Sequence, residues 1–260
     1  MTDLLRSELR KTFTVKLWWA MGLGPLAVGV LAGSFSLAVF GSGAGSGAGG
    51  GDLGGAGFSS VIGLFTALYF LLMFAAIFGA LNSSGEHRHK TITTTFLTTS
   101  SRGRSLAAKL AVSALVGLLY AVVVEIVTLA LIALVSDGPL PGVDGQVVGF
   151  LLVAMAVTVL WTLLGAGLGT VLASSVGSSI GIVVYYLLGE LLVSALLSSA
   201  GAGEVTKLLP QQATLGALVG VVVESDGTFL PWWGGLLTLA GWAVALCTGG
   251  WALNRVRDVG

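Results

Sequence analysis

The sequence predicts an all-α integral membrane protein with six transmembrane helices. Hydrophobic residues make up 55% of the 260 residues and charged residues only 9%, whereas soluble domains carry about a quarter charged residues. Six apolar runs with few charges are long enough to cross a bilayer, which takes about 20 apolar residues in a helix. The few charges are segregated by position rather than gathered into a basic face, which argues against nucleic-acid binding.

Residues 1–16 predict an amphipathic helix that lies on the cytoplasmic membrane surface. Leu5, Leu9 and Phe13 are spaced four residues apart and therefore share one side of a helix, while the cations lie elsewhere. This pattern is typical of interfacial helices in contact with membrane lipid. A charged flank that only orients the first span explains the segment equally well.

The spans follow in order and are separated by polar or glycine-rich segments. They are predicted at residues 17–40, 58–81, 106–135, 147–172, 179–199 and 231–253. Residues 41–57, GSGAGSGAGGGDLGGAG, are of low complexity and predict a flexible external loop. The apolar core of residues 200–230 is too short to span, so we expect this external region to form a re-entrant or interfacial helix before the sixth span.

Two Gly-x-x-x-Gly pairs flank the uncharged turn at residues 173–178, between spans 4 and 5. They are Gly165 with Gly169 and Gly177 with Gly181. Small residues allow helices to approach closely, and the pairs therefore predict that spans 4 and 5 pack against each other.

The distribution of cations predicts the orientation. With six spans, eleven of the twelve Lys and Arg residues fall on one side and only Lys207 falls on the other. Cytoplasmic loops of membrane proteins carry the excess of Lys and Arg. Both termini and the central segment, residues 82–105, are therefore predicted to be cytoplasmic.

The sequence has few residues that could perform chemistry. It contains no G-x-x-x-x-G-K-[ST] nucleotide loop and no clustered metal ligands or nucleophile in the spans. His87 and His89 have no third ligand nearby, so two solvated loop histidines are the preferred interpretation. We therefore expect a protein that is not an enzyme and that holds no metal or cofactor of its own.

Two carboxylates fall inside predicted spans, Glu125 in span 3 and Glu190 in span 5. A charge at the bilayer centre costs roughly 2.5–3.5 kcal/mol on insertion scales, so each is expected to face the protein interior or a water-filled cavity. They are the candidates for a translocation pathway. The alternative is a structural role, in which each carboxyl is protonated or bonded to a neighbour such as Thr128 or Tyr186.

The central segment has the pattern of a docking helix. Ile92 and Phe96 are four residues apart, so a short helix here would present an apolar patch, and cations flank it on both sides. Such a helix suits a cleft on a cytoplasmic protein. A basic loop that serves only to orient the protein is the alternative.

Several features occur together along the chain: the basic start LLRSELRKTFTVKLWW, the G-E-x-R-x-x-T-I pattern from Gly85 to Ile92, the S-R-G-R and A-K sequences entering span 3, and a long external segment before span 6. In this order they resemble the membrane subunit of the type-two class of ATP-binding-cassette (ABC) exporters. The resemblance covers nearly the whole chain. It implies a permease of the bacterial cytoplasmic membrane.

The resemblance also implies partners. Two copies of a cytoplasmic ABC ATPase would bind ATP and Mg²⁺, and a second permease chain, identical or related, would complete a dimer. The positions that match the family's coupling helix are Glu86, Arg88, Thr91, Ile92 and Phe96. The exported substrate is expected to be hydrophobic or amphipathic: a drug, a lipid or a peptide.

Two other functions remain open on the sequence alone. An ion- or proton-coupled secondary transporter would use Glu125 and Glu190 as its relay and would need no ATPase. A membrane anchor or sensor for a cytoplasmic partner would need neither carboxylate for any solute flux.

Overall fold

The computed structural model describes residues 2–14, 17–40, 55–88, 102–135, 145–222 and 227–256, and nearly all of them are helical. The helices in chain order are α1 (Thr2–Thr14), α2 (Leu17–Phe40), α3 (Gly55–Arg88), α4 (Arg102–Val135), α5 (Gly145–Leu172), α6 (Ser175–Val184), α7 (Glu190–Ser199), α8 (Gly203–Thr206), α9 (Pro210–Val222) and α10 (Trp232–Val256). A π-helical turn, Tyr185–Gly189, joins α6 to α7. The all-α class is thereby confirmed.

Among the described residues, five stretches of helix are long and apolar enough to cross a membrane. They are Phe65–Gly85, Gly103–Ala130, Gly145–Leu172, Ser175–Ser199 and Trp232–Leu253. These five helices are consistent with a multi-pass membrane protein. Helix α2 has the bounds predicted for the first span, and its crossing of the membrane stays a prediction.

Helix α3 is longer at both ends than the predicted second span, residues 58–81. It begins at Gly55, inside the glycine-rich loop, and continues to Arg88, so the first part of the predicted coupling region is helical. At the C-terminal end of α3, polar side chains form hydrogen bonds within the protein, which favours the extension. Ser84 Oγ donates to the Ala80 carbonyl at 2.6 Å and lies 3.0 Å from Ser175 Oγ on α6.

The turn between α5 and α6 is shorter than predicted. It consists of Ala173 and Ser174, so α6 begins at Ser175 rather than at residue 179. Ala173 has a positive φ of 51°, the left-handed conformation that often ends a helix. Ser174 then caps α6, since its hydroxyl accepts the Gly177 backbone N–H at 3.1 Å.

Helices α3 and α5 pack at very short range through small residues. A Cβ atom on Gly165 would overlap the Ala76 carbonyl, and one on Gly169 would overlap the Ala80 carbonyl. This glycine pair therefore packs the fourth span against the second. The prediction that it joins spans 4 and 5 is wrong, and Gly181 on the other side of the turn has open space around it.

The remaining helices complete the bundle. Helix α2 packs against α3 and α4, and α10 packs against α5 and α9. Helix α1 contacts α4 and buries Glu8 and Thr12, while Phe13 is 41% exposed. The protein-facing side of α1 therefore includes polar residues, which the apolar line Leu5, Leu9 and Phe13 does not predict.

Candidate functional site

The predicted coupling positions lie at the end of α3 and beyond it. Glu86 and Arg88 belong to the last turn of α3, but their side chains are outside the described part of the structure. Thr91, Ile92 and Phe96 lie wholly outside the described residues. What the structure describes is the pair of helices that flank this segment.

A side-chain hydrogen bond joins these two flanking helices. Asn82 Nδ2 on α3 donates to Ser113 Oγ on α4 at 2.8 Å, and Ser113 is fully buried. The bond lies about two turns from the end of α3. The helices on either side of residues 89–101 are therefore bonded to each other about two turns before that segment and about three turns after it.

The second polar feature is centred on Glu190, the first residue of α7. Its side chain is buried, and its carboxylate accepts three hydrogen bonds of 2.8 Å. The donors are the Tyr185 hydroxyl and the backbone N–H groups of Gln211 and Gln212. The first N–H groups of a helix have no partner within that helix, and the positive end of the helix dipole favours an anion. Glu190, which belongs to α7, therefore caps the start of α9.

This cap fixes the path of the chain between α7 and α9. Helix α7 runs on from Glu190 to Ser199, which is about 13 Å at 1.5 Å per residue. Because Gln211 is bonded to Glu190, the intervening residues 200–209 return along α7 to the level at which it began. Helix α9 then runs alongside the start of α10, with Gly235 packed against Ala213 and Ala217. The chain thus turns back beside α7 before α9 begins, and the re-entrant character of this segment stays a prediction.

The π turn next to Glu190 provides further contacts. The Tyr186 carbonyl accepts the Tyr69 hydroxyl at 3.2 Å and the Gln211 side-chain amide at 2.5 Å. In the other direction, the Tyr186 hydroxyl donates to the Tyr69 carbonyl at 2.8 Å. A π turn interrupts the regular helical ladder, and such turns are frequent at functional sites.

Helix α5 joins the same group of side chains. Trp161 Nε1 donates to Thr214 Oγ1 of α9 at 2.9 Å, and its ring lies 5.1 Å from the Tyr186 ring in an edge-on contact. The seven residues of this tyrosine cluster come from α3, α5, the π turn, α7 and α9. They are Tyr69, Trp161, Tyr185, Tyr186, Glu190, Gln211 and Thr214.

Glu125 has a different environment. It lies on α4 and is only 2% exposed, yet neither of its carboxylate oxygens has a hydrogen-bond partner within the described structure. The bond to Thr128 that the sequence allowed is therefore not formed. The structure does not connect Glu125 to Glu190 through hydrogen bonds, because Glu190 bonds to the tyrosine cluster and Glu125 bonds to nothing described.

Comparison with known families places the chain in one of them. A model of that family matches residues 32–259, from within α2 to beyond the end of α10. The chain belongs to the DUF2705 family. This is a family of proteins of unknown function, and the DUF2705 match includes the tyrosine cluster, Glu125 and the predicted coupling positions. No curated protein matches the chain.

Sequence reasoning selected Glu190 but missed most of its surroundings. Tyr69, Trp161 and Gln211 sit in apolar runs where they look like ordinary interior or interfacial residues. The sequence does contain one local signal for the start of α9, namely Pro210, because proline is favoured at the first position of a helix. A helix start inside a bundle requires a partner for its N–H groups, and that requirement could have directed attention to a nearby carboxylate.

Proposed function

We propose that this chain is the permease subunit of an ATP-driven exporter of the ABC class. In this proposal it moves a hydrophobic or amphipathic substrate, a drug, lipid or peptide, out of the cytoplasm or the inner leaflet. It lies in the bacterial cytoplasmic membrane with α2 as the first of six spans and both termini in the cytoplasm. It pairs with a second permease chain, and two copies of a separate ATPase bind ATP and Mg²⁺.

The observation that carries the proposal is the way α3 and α4 hold the segment between them. Residues 89–101 connect two long helices that the Asn82–Ser113 bond ties together. A partner that docks onto Ile92 and Phe96 would therefore act on two helices that are bonded to each other. Cations on both sides of the apolar pair support docking onto a cytoplasmic protein.

The packing supports a route from this segment to the external region. Helix α3 packs closely against α5, and it carries Tyr69 into the tyrosine cluster. The cluster includes Gln211, near the start of α9. A displacement of α3 would therefore act on α9, which in this proposal lies in the external region, and packed helices with two alternative arrangements are a common means of switching.

The proposal is tested by isolating the permease with its partner. The chain is expressed with its genomic neighbours, solubilised in detergent and captured, and the eluate is assayed for vanadate-sensitive ATP hydrolysis and, in vesicles, for transport. We expect an ATPase to be recovered with the wild type and transport to be lost in Phe96→Asp, since a charge would oppose apolar docking. Phe96→Leu keeps the apolar surface and is the matched control. Normal transport by Phe96→Asp would refute the docking step.

The ion- or proton-coupled secondary transporter is the second candidate. It uses Glu125 and Glu190 as a relay, but the Glu190 carboxylate is already engaged by three donors as the cap of α9. We therefore favour the exporter. Transport that is abolished by a protonophore in ATP-replete vesicles, and unaffected by vanadate, would reverse this choice.

A further inference from the structure

Helix α4 places a carboxyl group where nothing described in the protein compensates its charge. Glu125 is almost completely buried, and both of its oxygens lack a hydrogen-bond partner among the residues that the structure covers. Burying an ionised carboxylate without partners is strongly unfavourable. The cost is high in a membrane-spanning helix too, because the surrounding lipid cannot solvate the charge.

The other buried carboxyl group, Glu190, has the hydrogen-bond donors that Glu125 lacks. Both residues are buried to a similar degree, at 2% and 3% exposed. Glu190 accepts a hydroxyl and two backbone N–H groups, all of which favour the anion. Glu125 has no such donors among the described residues, so nothing described compensates a charge on its carboxyl group.

The helices that pack along α4 offer no countercharge to Glu125. Helices α2 and α5 contain no ionisable residue at all. Among the described side chains of α3, Tyr69 is the ionisable one, and it is bonded to the Tyr186 carbonyl. On α4 itself, Lys109 is 16 residues away in sequence, about 24 Å along the helix.

Charges nearer the start of the chain belong to a different level of the bundle. Helix α1 ends before Trp18, and the Trp18 carbonyl accepts a hydrogen bond from the hydroxyl of Tyr120 on α4. Tyr120 itself lies more than one helical turn before Glu125. Within α1, Glu8 is paired with Lys11 at 2.6 Å.

A metal ion at Glu125 is not favoured either, because hard cations take six or more oxygen ligands. The described residues hold no cluster of three or more His, Cys, Asp or Glu side chains.

We infer that Glu125 is an internal proton-binding site of α4. In the packed arrangement of the helices, one carboxyl oxygen of Glu125 binds a proton and the group is neutral. Release of that proton requires a movement of α4 that admits water or a donor to the carboxylate. The ligand is therefore a proton, which the carboxyl group can bind without donors from other residues.

The position of the site links proton binding to movement of the helix. Helix α4 begins at Arg102, directly after the segment that we assign to ATPase docking. A displacement of α4 by a partner would change the surroundings of Glu125, and proton occupancy would in turn favour the packed arrangement. The proton site itself goes beyond the proposed function, because it exists whether or not an ATPase is the partner.

Infrared spectroscopy of the permease alone, reconstituted in lipid nanodiscs at neutral pH, tests the inference. A protonated carboxylic acid has a carbonyl stretch that is separate from the amide and carboxylate bands and that shifts in D₂O. We expect wild type to show this band, Glu125→Gln to lose it and Glu190→Gln to keep it. Absence of the band from wild type, or its persistence in Glu125→Gln, would overturn the inference.

A second variant guards against misfolding of Glu125→Gln. Glu125→Asp retains a carboxyl group on a shorter side chain, so the band should remain but change in frequency. An unchanged band, or none, in folded Glu125→Asp would also overturn the inference. The measurement uses no ATPase and no transport assay, and its failure would leave the exporter proposal untouched.

Discussion

Tyr69 and Tyr186 hydrogen-bond to each other's backbone. The Tyr186 hydroxyl donates to the Tyr69 carbonyl at 2.8 Å, and the Tyr69 hydroxyl donates to the Tyr186 carbonyl at 3.2 Å. Their ring centroids are 4.6 Å apart. This reciprocal pair ties α3 to the π turn that precedes α7, although 117 residues separate the two in sequence.

Phenylalanine substitutions test the pair. Hydrogen bonds between membrane helices contribute about 0.6 kcal/mol on average, and about 1.7 kcal/mol at most. We expect Tyr186→Phe to lower the thermal unfolding temperature in detergent, and Tyr69→Phe to lower it less. Tyr186 is buried and makes the shorter bond, whereas Tyr69 is 39% exposed. Equal effects, or the reverse order, would contradict this assignment.

Glu190→Gln should loosen the attachment of α9 to α7. A glutamine places an amide group, itself a donor, against the N–H groups of Gln211 and Gln212, so at least one bond is lost. Hydrogen bonds to charged groups contribute about 1.5–3 kcal/mol. We expect a lower unfolding temperature and faster proteolytic cleavage within residues 200–209.

Glu204→Gln is the matched control for that experiment. Glu204 pairs with Lys207 at 2.6 Å, but its side chain is 86% exposed. Exposed ion pairs contribute less than about 1 kcal/mol, so this variant should behave like the wild type. Equal cleavage of the two variants would show that Glu190 does not hold α9 in place.

Gly165→Ala should disrupt the packing of α3 against α5. The added methyl group would overlap the Ala76 carbonyl, and backbone atoms cannot move aside cheaply. Overpacking of this kind typically costs about 1–3 kcal/mol. Gly181→Ala makes the same change where there is open space, and alanine favours helix over glycine by about 1 kcal/mol. Size-exclusion profiles and thermal unfolding should therefore show loss for Gly165→Ala and no loss for Gly181→Ala.

Asn82→Ala should weaken the coupling of ATP hydrolysis to transport. It removes the bond between α3 and α4 and leaves the buried Ser113 hydroxyl without this donor. Transport per ATP hydrolysed by the reconstituted complex should fall. The adjacent Ser83→Ala is the control, because Ser83 Oγ is buried with no hydrogen-bond partner in the described structure. A loss in Ser83→Ala as large as that in Asn82→Ala would argue against the bond as the cause.

The helices were predictable and their ends less so. Apolar runs of about 20 residues must satisfy their own backbone in a membrane, and helices do so locally. The ends depend on contacts that the local pattern does not contain. Ser84 extends α3 through a bond to Ser175, and the left-handed Ala173 makes a turn of two residues where composition predicted six.

The candidate site was only partly predictable. Glu125 and Glu190 stand out because carboxylates are rare in apolar runs, and both proved buried. Their opposite environments could not be predicted, because two of the three donors to Glu190 follow it by 21 and 22 residues. The predicted coupling residues Thr91, Ile92 and Phe96 lie outside the described residues, and their role stays a prediction.

The amino-acid pattern was enough to predict that the chain is helical, that it is apolar enough for a membrane, and where the middle of each long helix lies. Hydrophobicity and backbone hydrogen bonding act within a single helix and can be evaluated without its neighbours. The packing of the helices was needed to show that Gly165 faces α3, that Glu190 caps α9 and that Glu125 has no hydrogen-bond partner among the described residues. Those outcomes depend on which helix faces lie together, since a buried polar group gains its stability from atoms far away in the chain.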